Sequence, residues 1–317
     1  MTRVAAIDCG TNSIRLLVAD VGPDGSAREV TRRMEVVRLG HGVDRTGRIA
    51  PQSLARTLAM TRTYAAQCDD LGVDRVCFVA TSAARDARNA LDFVEGVREA
   101  FGPRGVTPEV VSGAEEAGLS FAGATAGLAA AGITGPYVVV DLGGGSTEFV
   151  RGDSFVEAAC SVDIGCVRMT ERHLIADPPS PQQIEAARAD IDAALRRAEA
   201  SVGFAGVAAL IGLAGSVTTV TAHALHLDGY DRDRIHLARP PVADLLAACD
   251  DLLHRTLAQR AELGFMHAGR IDVIGAGALV WSRIVQRVVA SSPLAEVITS
   301  EHDILDGIAL RAAAPLA

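Results

Sequence analysis

The chain contains no lysine: all 30 of its basic residues are arginine. That absence excludes Schiff-base lysines, lysine general bases and the lysine of a P-loop. Aromatic residues are scarce, at 4% with a single Trp, which argues against stacking platforms for single-stranded nucleic acid. Excess positive charge is also lacking. The formal net charge is −9, so bulk charge does not draw the protein to a polyanion. An anionic ligand must be held by a local basic site. The six cysteines, at 9, 68, 77, 160, 166 and 249, show no CxxC spacing. They read as reduced, mostly buried thiols of a cytoplasmic protein. No apolar segment with a small-residue cleavage site precedes the first strand. Residues 117–140 and 200–227 carry no charge and are long enough to span a bilayer. Both are rich in Gly, Ser, Thr and Ala, which insert poorly, so no membrane association is predicted.

What is present suits a folded enzyme. At 317 residues, two domains are expected. Val4–Ile7 and Ile14–Val21 read as strands around a polar turn, Asp8-Cys9-Gly10-Thr11-Asn12-Ser13. A third strand is predicted from Val30 to Leu39, a helix from Pro51 to about Leu71, and a strand over Arg75–Ala80. Val106–Val111 reads as strand and Ala114 to about Ala131 as helix. The opening pattern then returns at an offset of 133, in the run Tyr137 to Val150. Asp141 falls on Asp8, Gly143 on Gly10 and Ser146 on Ser13. Helices after Pro181, from about Ser216 and after Pro241 follow, with a strand near Val207–Leu213. Ile271–Ile274 leads into an apolar helix, and a strand over Glu296–Thr299 precedes a helix around Ile304–Leu310. The repeat predicts an α/β protein of two duplicated halves. The expected domains are 1–125, joined by the C-terminal helix at 300–317, and 126–299.

Each repeated turn places an Asp at the carboxyl end of a strand, followed by Gly and hydroxyl residues. Gly143, Gly144 and Gly145 let backbone amides approach a phosphate closely. Asp141 can hold Mg²⁺ directly or through water, and Glu148 lies just beyond it. The bland alternative is a flexible hairpin. Glu115 and Glu116 follow Ser112 at a helix start, where they either serve a cap or activate an attacking water. Arg85, after Thr81-Ser82, suits an anion clamp, or a surface ion pair with Asp86 or Asp92. Arg15 occupies the slot in the first turn that Glu148 holds in the second. Gly215-Ser216-Val217-Thr218-Thr219 is a second phosphate loop or a plain helix cap. No metal spacing is found among the eight His. Cys9 lies within the first phosphate turn, where a bulky alkylating reagent is expected to block the site.

The ordered set of motifs resembles the exopolyphosphatase / guanosine pentaphosphate phosphohydrolase family. The resemblance is carried by IDCGTNSIRLLV (7–18), VRLGHGVDRTGRI (37–49), VATSAARDARN (79–89), VVSGAEEAGLSF (110–121) and VVVDLGGGSTEFV (138–150). GCVRMTERHL (165–174), AGSVTT (214–219), RIDVIGAGALV (270–280) and SEHDILDGIAL (300–310) continue it. It implies two ribonuclease-H-like domains of the actin-like, sugar-kinase-like superfamily facing a cleft, with Mg²⁺-dependent hydrolysis of a terminal phosphate and Mn²⁺ as the alternative ion. By this resemblance Glu116 is the base, and Asp141 and Glu148 are metal and water ligands, with Asp8 assisting. Gly143, Gly144, Gly145 and Ser146 cradle phosphate. Asn12, Ser13, Arg15, Ser82 and Arg85 hold the phosphate chain, joined by Arg270. Where the family often reads EEAR, Gly118 stands in place of the Arg, which removes one phosphate contact.

The leading expectation is release of orthophosphate from the end of inorganic polyphosphate by a cytoplasmic homodimer. Guanosine pentaphosphate is the alternative substrate; an ATP-dependent kinase and a nucleotide-binding interaction protein are more remote. Short chains are expected to be preferred, since no added domain follows the SEHDILDGIAL segment to grip a long polymer. The nucleotide is expected to be a poorer substrate, because no aromatic residue near the motifs offers a face for guanine.

Overall fold

Among the described residues, ten strands form two sheets whose orders repeat one another. In the first, β1 (Thr2–Cys9) pairs antiparallel with β2 (Ser13–Val21) and β2 with β3 (Ala27–Val36). On its other side β1 pairs parallel with β4 (Arg75–Ala80), and β4 with β5 (Glu109–Val110), giving the order β3-β2-β1-β4-β5. The second sheet uses β6 (Tyr137–Leu142), β7 (Thr147–Gly152), β8 (Val156–Val162), β9 (Ala209–Leu213) and β10 (Ile298–Thr299). Its order is β10-β9-β6-β7-β8, with the same antiparallel and parallel pairings. The two sheets are the duplicated halves that the repeat predicts, with the ribonuclease-H-like topology that the family resemblance implies.

The computed structural model describes residues 1–23 and 25–314. They divide into unit 1, Met1–Gly123 with the chain from Ile304 onward, and unit 2, Ala124–Asp303.

In unit 1 the near-continuous apolar runs of β1 and β2 are explained by burial on both faces, as for parallel strands covered by helices. Ala5, Ile7 and Cys9 point into one core, with Tyr64 and Cys68 of the helix Pro51–Asp70 and Phe93 and Val97 of the helix Ala90–Phe101. Val4 and Ala6 point the other way, onto Leu119 of the helix Gly113–Thr125 and Ile304, Leu305 and Ile308 of the helix Ile304–Ala313. The approach of these last two helices depends on Gly307, where a Cβ would lie 2.0 Å from the Leu119 carbonyl oxygen. In unit 2, Val138, Val140 and Leu142 of β6 pack with Ile184, Ile191 and Leu195 of the helix Pro181–Val202 and Trp281 of the helix Ile274–Ser291.

Several expected elements differ in extent, among them the strand over Glu296–Thr299, which shortens to Ile298–Thr299. The strand at 106–111 shrinks to Glu109–Val110, because Thr107-Pro108 interrupts it and Pro has no ladder N–H to give. The helix from 114 stops at Thr125, after which Gly127 and Gly132 sit in a turn region. The third strand spans Ala27–Val36 rather than 30–39, since residues 37–40 turn away to bond elsewhere. No helix among the described residues is long and apolar enough to cross a membrane.

Candidate active site

The two repeated turns have the same frame. Asp8 stands opposite Arg15 across β1–β2, and Asp141 opposite Glu148 across β6–β7. In each turn a glycine N–H donates to a serine carbonyl: Gly10 to Ser13 at 2.9 Å, Gly143 to Ser146 at 3.1 Å. The sequence slot shared by Arg15 and Glu148 is therefore one position in the sheet.

In unit 1 this position makes an ion pair. Arg15 Nε and Nη2 donate to Asp8 Oδ2 at 3.0 and 2.7 Å, and Asp8 is 5% exposed. The turn is tied to its neighbours through Thr11, whose Oγ1 lies 2.8 Å from Ser82 Oγ. Thr81 N–H donates to the Cys9 carbonyl, so the end of β4 brings Ser82 and Arg85 to the first turn. Arg85 reaches the helix Gly113–Thr125. Its Nη1 donates to Glu116 Oε2 at 3.0 Å and to the Val111 carbonyl at 3.1 Å. Glu115 and Glu116 thus separate. Glu115 is exposed and accepts from the Ser112 N–H and Oγ, both at 2.8 Å, completing a capping box. Those bonds hold its carboxyl below the usual glutamate range. Glu116 is buried and aimed at Arg85.

In unit 2 the three-glycine loop is seated on the helix Cys166–His173. Gly143 O accepts from Cys166 N–H, Gly144 O from Val167 and Arg168 N–H, and Gly145 O from Gly165 N–H and from Arg168 Nε at 2.6 Å. In a planar trans peptide the N–H points opposite to the carbonyl. The amides of Gly144, Gly145 and Ser146 are therefore turned away from that helix, as an anion nest requires. Gly165 makes the seat: a Cβ there would lie 2.3 Å from the Gly144 carbonyl carbon. Asp141 and Glu148 are both buried, and Glu148 Oε1 accepts from Ser161 Oγ at 2.7 Å across β7–β8.

Gly215 is the second residue of the helix Ala214–Ala224, whose cap residue is Leu213 rather than Ser216. A Cβ on Gly215 would lie 2.1 Å from the guanidinium carbon of Arg270, so Arg270 lies flat on this helix start. Tyr230 stands beside the same motif, its hydroxyl bonded to Thr218 Oγ1 at 2.9 Å and to Glu301. An aromatic residue does adjoin the motifs, contrary to the sequence-based expectation. Tyr230 is twelve residues from Thr218, and only the loop after the helix brings it back.

Unit 1 thus brings together Asp8, Asn12, Ser13, Arg15, Ser82, Arg85 and Glu116, and unit 2 brings Asp141, Glu148 and Gly143–Ser146 to one hairpin. Arg270 sits at a separate motif within unit 2. Thr11, Ser161, Gly165 and Arg168 were missed as supports. Gly165 and Arg168 lie in a recognised motif, but nothing in it shows which carbonyls they meet. Cys9 is a further correction. Its side chain alternates to the face opposite Asp8, is fully buried in the apolar core, and burial pushes its thiol well up.

Asp141 and Glu148 suit a hard divalent ion, which binds one or two carboxylates and leaves positions for water and phosphate oxygens. Among the described residues no group of three or more His, Cys, Asp or Glu converges on one point.

The chain is similar to known proteins over nearly its full length. It is 49% identical over 315 residues to Exopolyphosphatase 2 of Mycobacterium tuberculosis, covering 98% of each chain. Its fold matches the crystal structure of an exopolyphosphatase-like protein with a TM-score of 0.92 at 43% identity, covering 98% of both chains. The Ppx/GppA family member of Aquifex aeolicus matches with a TM-score of 0.78 at 27% identity, over 98% of this chain and 97% of that one. Residues 17–312 match the family as a whole, and with the two-turn geometry this places the chain in the Ppx/GppA phosphatase family.

Proposed function

We propose that this protein is an exopolyphosphatase, removing the terminal phosphate of inorganic polyphosphate with Mg²⁺ and releasing orthophosphate in the cytoplasm. The observation that carries the reading is the β6–β7 hairpin. It sets two buried carboxylates opposite each other, next to three amides turned away from their supporting helix. The first suits a divalent ion, the second a phosphate, and phosphoanhydride hydrolysis needs both. The near-full-length likeness to Exopolyphosphatase 2 supports the same substrate.

In the reaction, the oxygen of a water forms a bond to the terminal phosphorus as the bridging P–O bond breaks. Glu116 takes the water proton, oriented by Arg85, whose second contact to Val111 fixes the guanidinium. The shortened chain leaves with the bridging oxygen. The amides of Gly144, Gly145 and Ser146 hold the phosphate oxygens, and Asp141 and Glu148 would hold the ion. A bound Mg²⁺ would neutralise phosphate charge and so ease the approach of water. Short chains are preferred, because a net charge of −9 gives a long polyanion no general attraction. Guanosine pentaphosphate is the second reading, favoured by the Tyr230 ring beside the AGSVTT motif.

The test is phosphate release from short polyphosphate, long polyphosphate, guanosine pentaphosphate and ATP, with Mg²⁺ and with EDTA. Release from polyphosphate that stops in EDTA is expected. Full activity in EDTA removes the metal from the mechanism, and cleavage of the nucleotide alone selects the second reading.

A further inference from the structure

The register of each sheet sets rows of side chains across three strands. In unit 2 one row runs Asp141–Glu148–Ser161 over β6, β7 and β8, because Asp141 pairs with Glu148 and Glu148 with Ser161. Directly paired residues point to the same face of a sheet, so these three side chains stand side by side. In unit 1 the equivalent row runs Asp8–Arg15–Met34 over β1, β2 and β3. The third member changes together with the second. Where the second is an arginine, bonded to its own aspartate, the third is an apolar Met. Where the second is another carboxylate, the third is a serine, and its Oγ donates to Glu148 Oε1 at 2.7 Å.

The strand itself does not call for this hydroxyl. β8 reads VEAACSV, and Ser161 is its only hydroxyl residue. The neighbouring Thr147 shows how a hydroxyl serves structure here. It alternates to the other face of the sheet and donates to the Ile164 carbonyl at 3.1 Å, tying down the chain after β8. Ser161 instead gives its one hydroxyl proton to a carboxylate.

That bond matters because of where Glu148 stands. Glu148 is 1% exposed and its partner in the row, Asp141, is 7% exposed. Two buried like charges repel, and a long glutamate side chain can turn away from its neighbour. A hydroxyl donating to a charged oxygen makes a short, strong bond. It takes up Oε1 and fixes the plane of the carboxylate. The carboxylate is then set before an ion arrives, and less ordering is left for the binding step.

Resting on the exopolyphosphatase reading, in which Asp141 and Glu148 hold the divalent ion, we propose that Ser161 is a positioning residue for that ion: its hydroxyl holds the Glu148 carboxylate in the orientation that binds Mg²⁺. Its role is metal affinity, exercised through Glu148, rather than contact with substrate.

The test compares Ser161→Ala and Ser161→Thr with the parent protein. Three measurements are made: binding of Mn²⁺ without substrate, followed by the electron paramagnetic resonance signal of the free ion; the Mg²⁺ dependence and KM of phosphate release from short polyphosphate; and melting temperature in EDTA. Ser161→Ala is expected to weaken Mn²⁺ binding about tenfold or more, the usual cost of losing a hydrogen bond to a metal ligand. The Mg²⁺ concentration for half-maximal rate should rise by a similar factor, while KM for polyphosphate at saturating Mg²⁺ changes less than about twofold. The melting temperature in EDTA should fall by no more than about 4 °C, the shift expected from one lost hydrogen bond. Ser161→Thr keeps the hydroxyl on a residue that suits a strand, and should bind Mn²⁺ within about threefold of the parent. Unchanged Mn²⁺ binding in Ser161→Ala overturns the proposal. So does an equal loss in Ser161→Thr, which assigns the effect to packing rather than to the donor, or a loss that comes with a larger fall in melting temperature. If the parent itself binds no Mn²⁺, the assignment of Asp141 and Glu148 to a metal falls, and the role of Ser161 with it. If the parent binds the ion and Ser161→Ala binds it equally, Ser161 alone is removed.

Discussion

The hairpins β1–β2 and β6–β7 share register, turn length and a closing glycine-to-serine bond, yet differ in charge at one paired position. Asp8 faces Arg15, and Asp141 faces Glu148. The first pair neutralises itself, with two guanidinium bonds to one carboxylate oxygen. The second doubles negative charge in a buried place, where like charges repel strongly unless a cation joins them. On the proposed reading, the same backbone serves as a substrate turn in unit 1 and would serve as a metal-holding turn in unit 2.

The largest effect should come from the catalytic base. Glu116→Gln is expected to cut turnover by about 10²–10⁴-fold with the fold and polyphosphate binding retained. Glu115→Gln should leave kcat nearly unchanged, because Glu115 serves the cap at Ser112. Equal losses at the two positions, measured by single-turnover phosphate release, defeat the distinction.

Next comes the charge contrast itself. Asp141→Asn and Glu148→Gln should each slow turnover and raise the Mg²⁺ concentration for half-maximal rate. Arg15→Met should act differently: it leaves Asp8 buried without its bridging guanidinium and costs about 3 kcal/mol of stability, with no change in metal demand. Metal titrations alongside thermal melts separate the two kinds of damage. A shifted Mg²⁺ titration in Arg15→Met denies the contrast.

A smaller effect tests the loops. Gly165→Ala places a Cβ against the Gly144–Gly145 backbone and should displace the amide nest, costing about 1–3 kcal/mol and much of the activity. Gly10→Ala in the other turn meets nothing closer than 3.7 Å and should be tolerated. Comparable losses in both variants count against the different support of the two turns.

The smallest effect is expected from thiol chemistry. Cys9 is fully buried among apolar side chains, and burial pushes its thiol well up, so iodoacetamide should leave activity unchanged at neutral pH. Inactivation that Cys9→Ser prevents points to an opening of that core.

Much of this was legible in the chain because the chemistry is local. An Asp ending an apolar strand, then Gly and hydroxyl residues, then a second strand, defines a hairpin whose turn can bind phosphate. Its repeat at an offset of 133 shows the duplication. The length of the helix from Gly113 was less legible, since apolar Ala- and Gly-rich sequence continues past Thr125 without a periodic break. The strand before it was overextended for the opposite reason: β-prone residues surround Pro108, but only two find partners.

The sequence by itself determined the two Asp turns, the neighbouring glutamates and the reliance on arginine, since each is a matter of residue type and near spacing. Only the tertiary structure decided which glutamate is free of capping duty, because Ser112 lies within local reach of Glu115 while Arg85 reaches Glu116 through the packing of β4 against β5. It also decided that the carbonyls of Gly143–Gly145 face the helix Cys166–His173, and that the Arg38 backbone is fastened to Asn12. Those contacts join residues about 20 or more positions apart. Their partners are set by strand register and helix placement, which depend on the whole core rather than on any short stretch of chain.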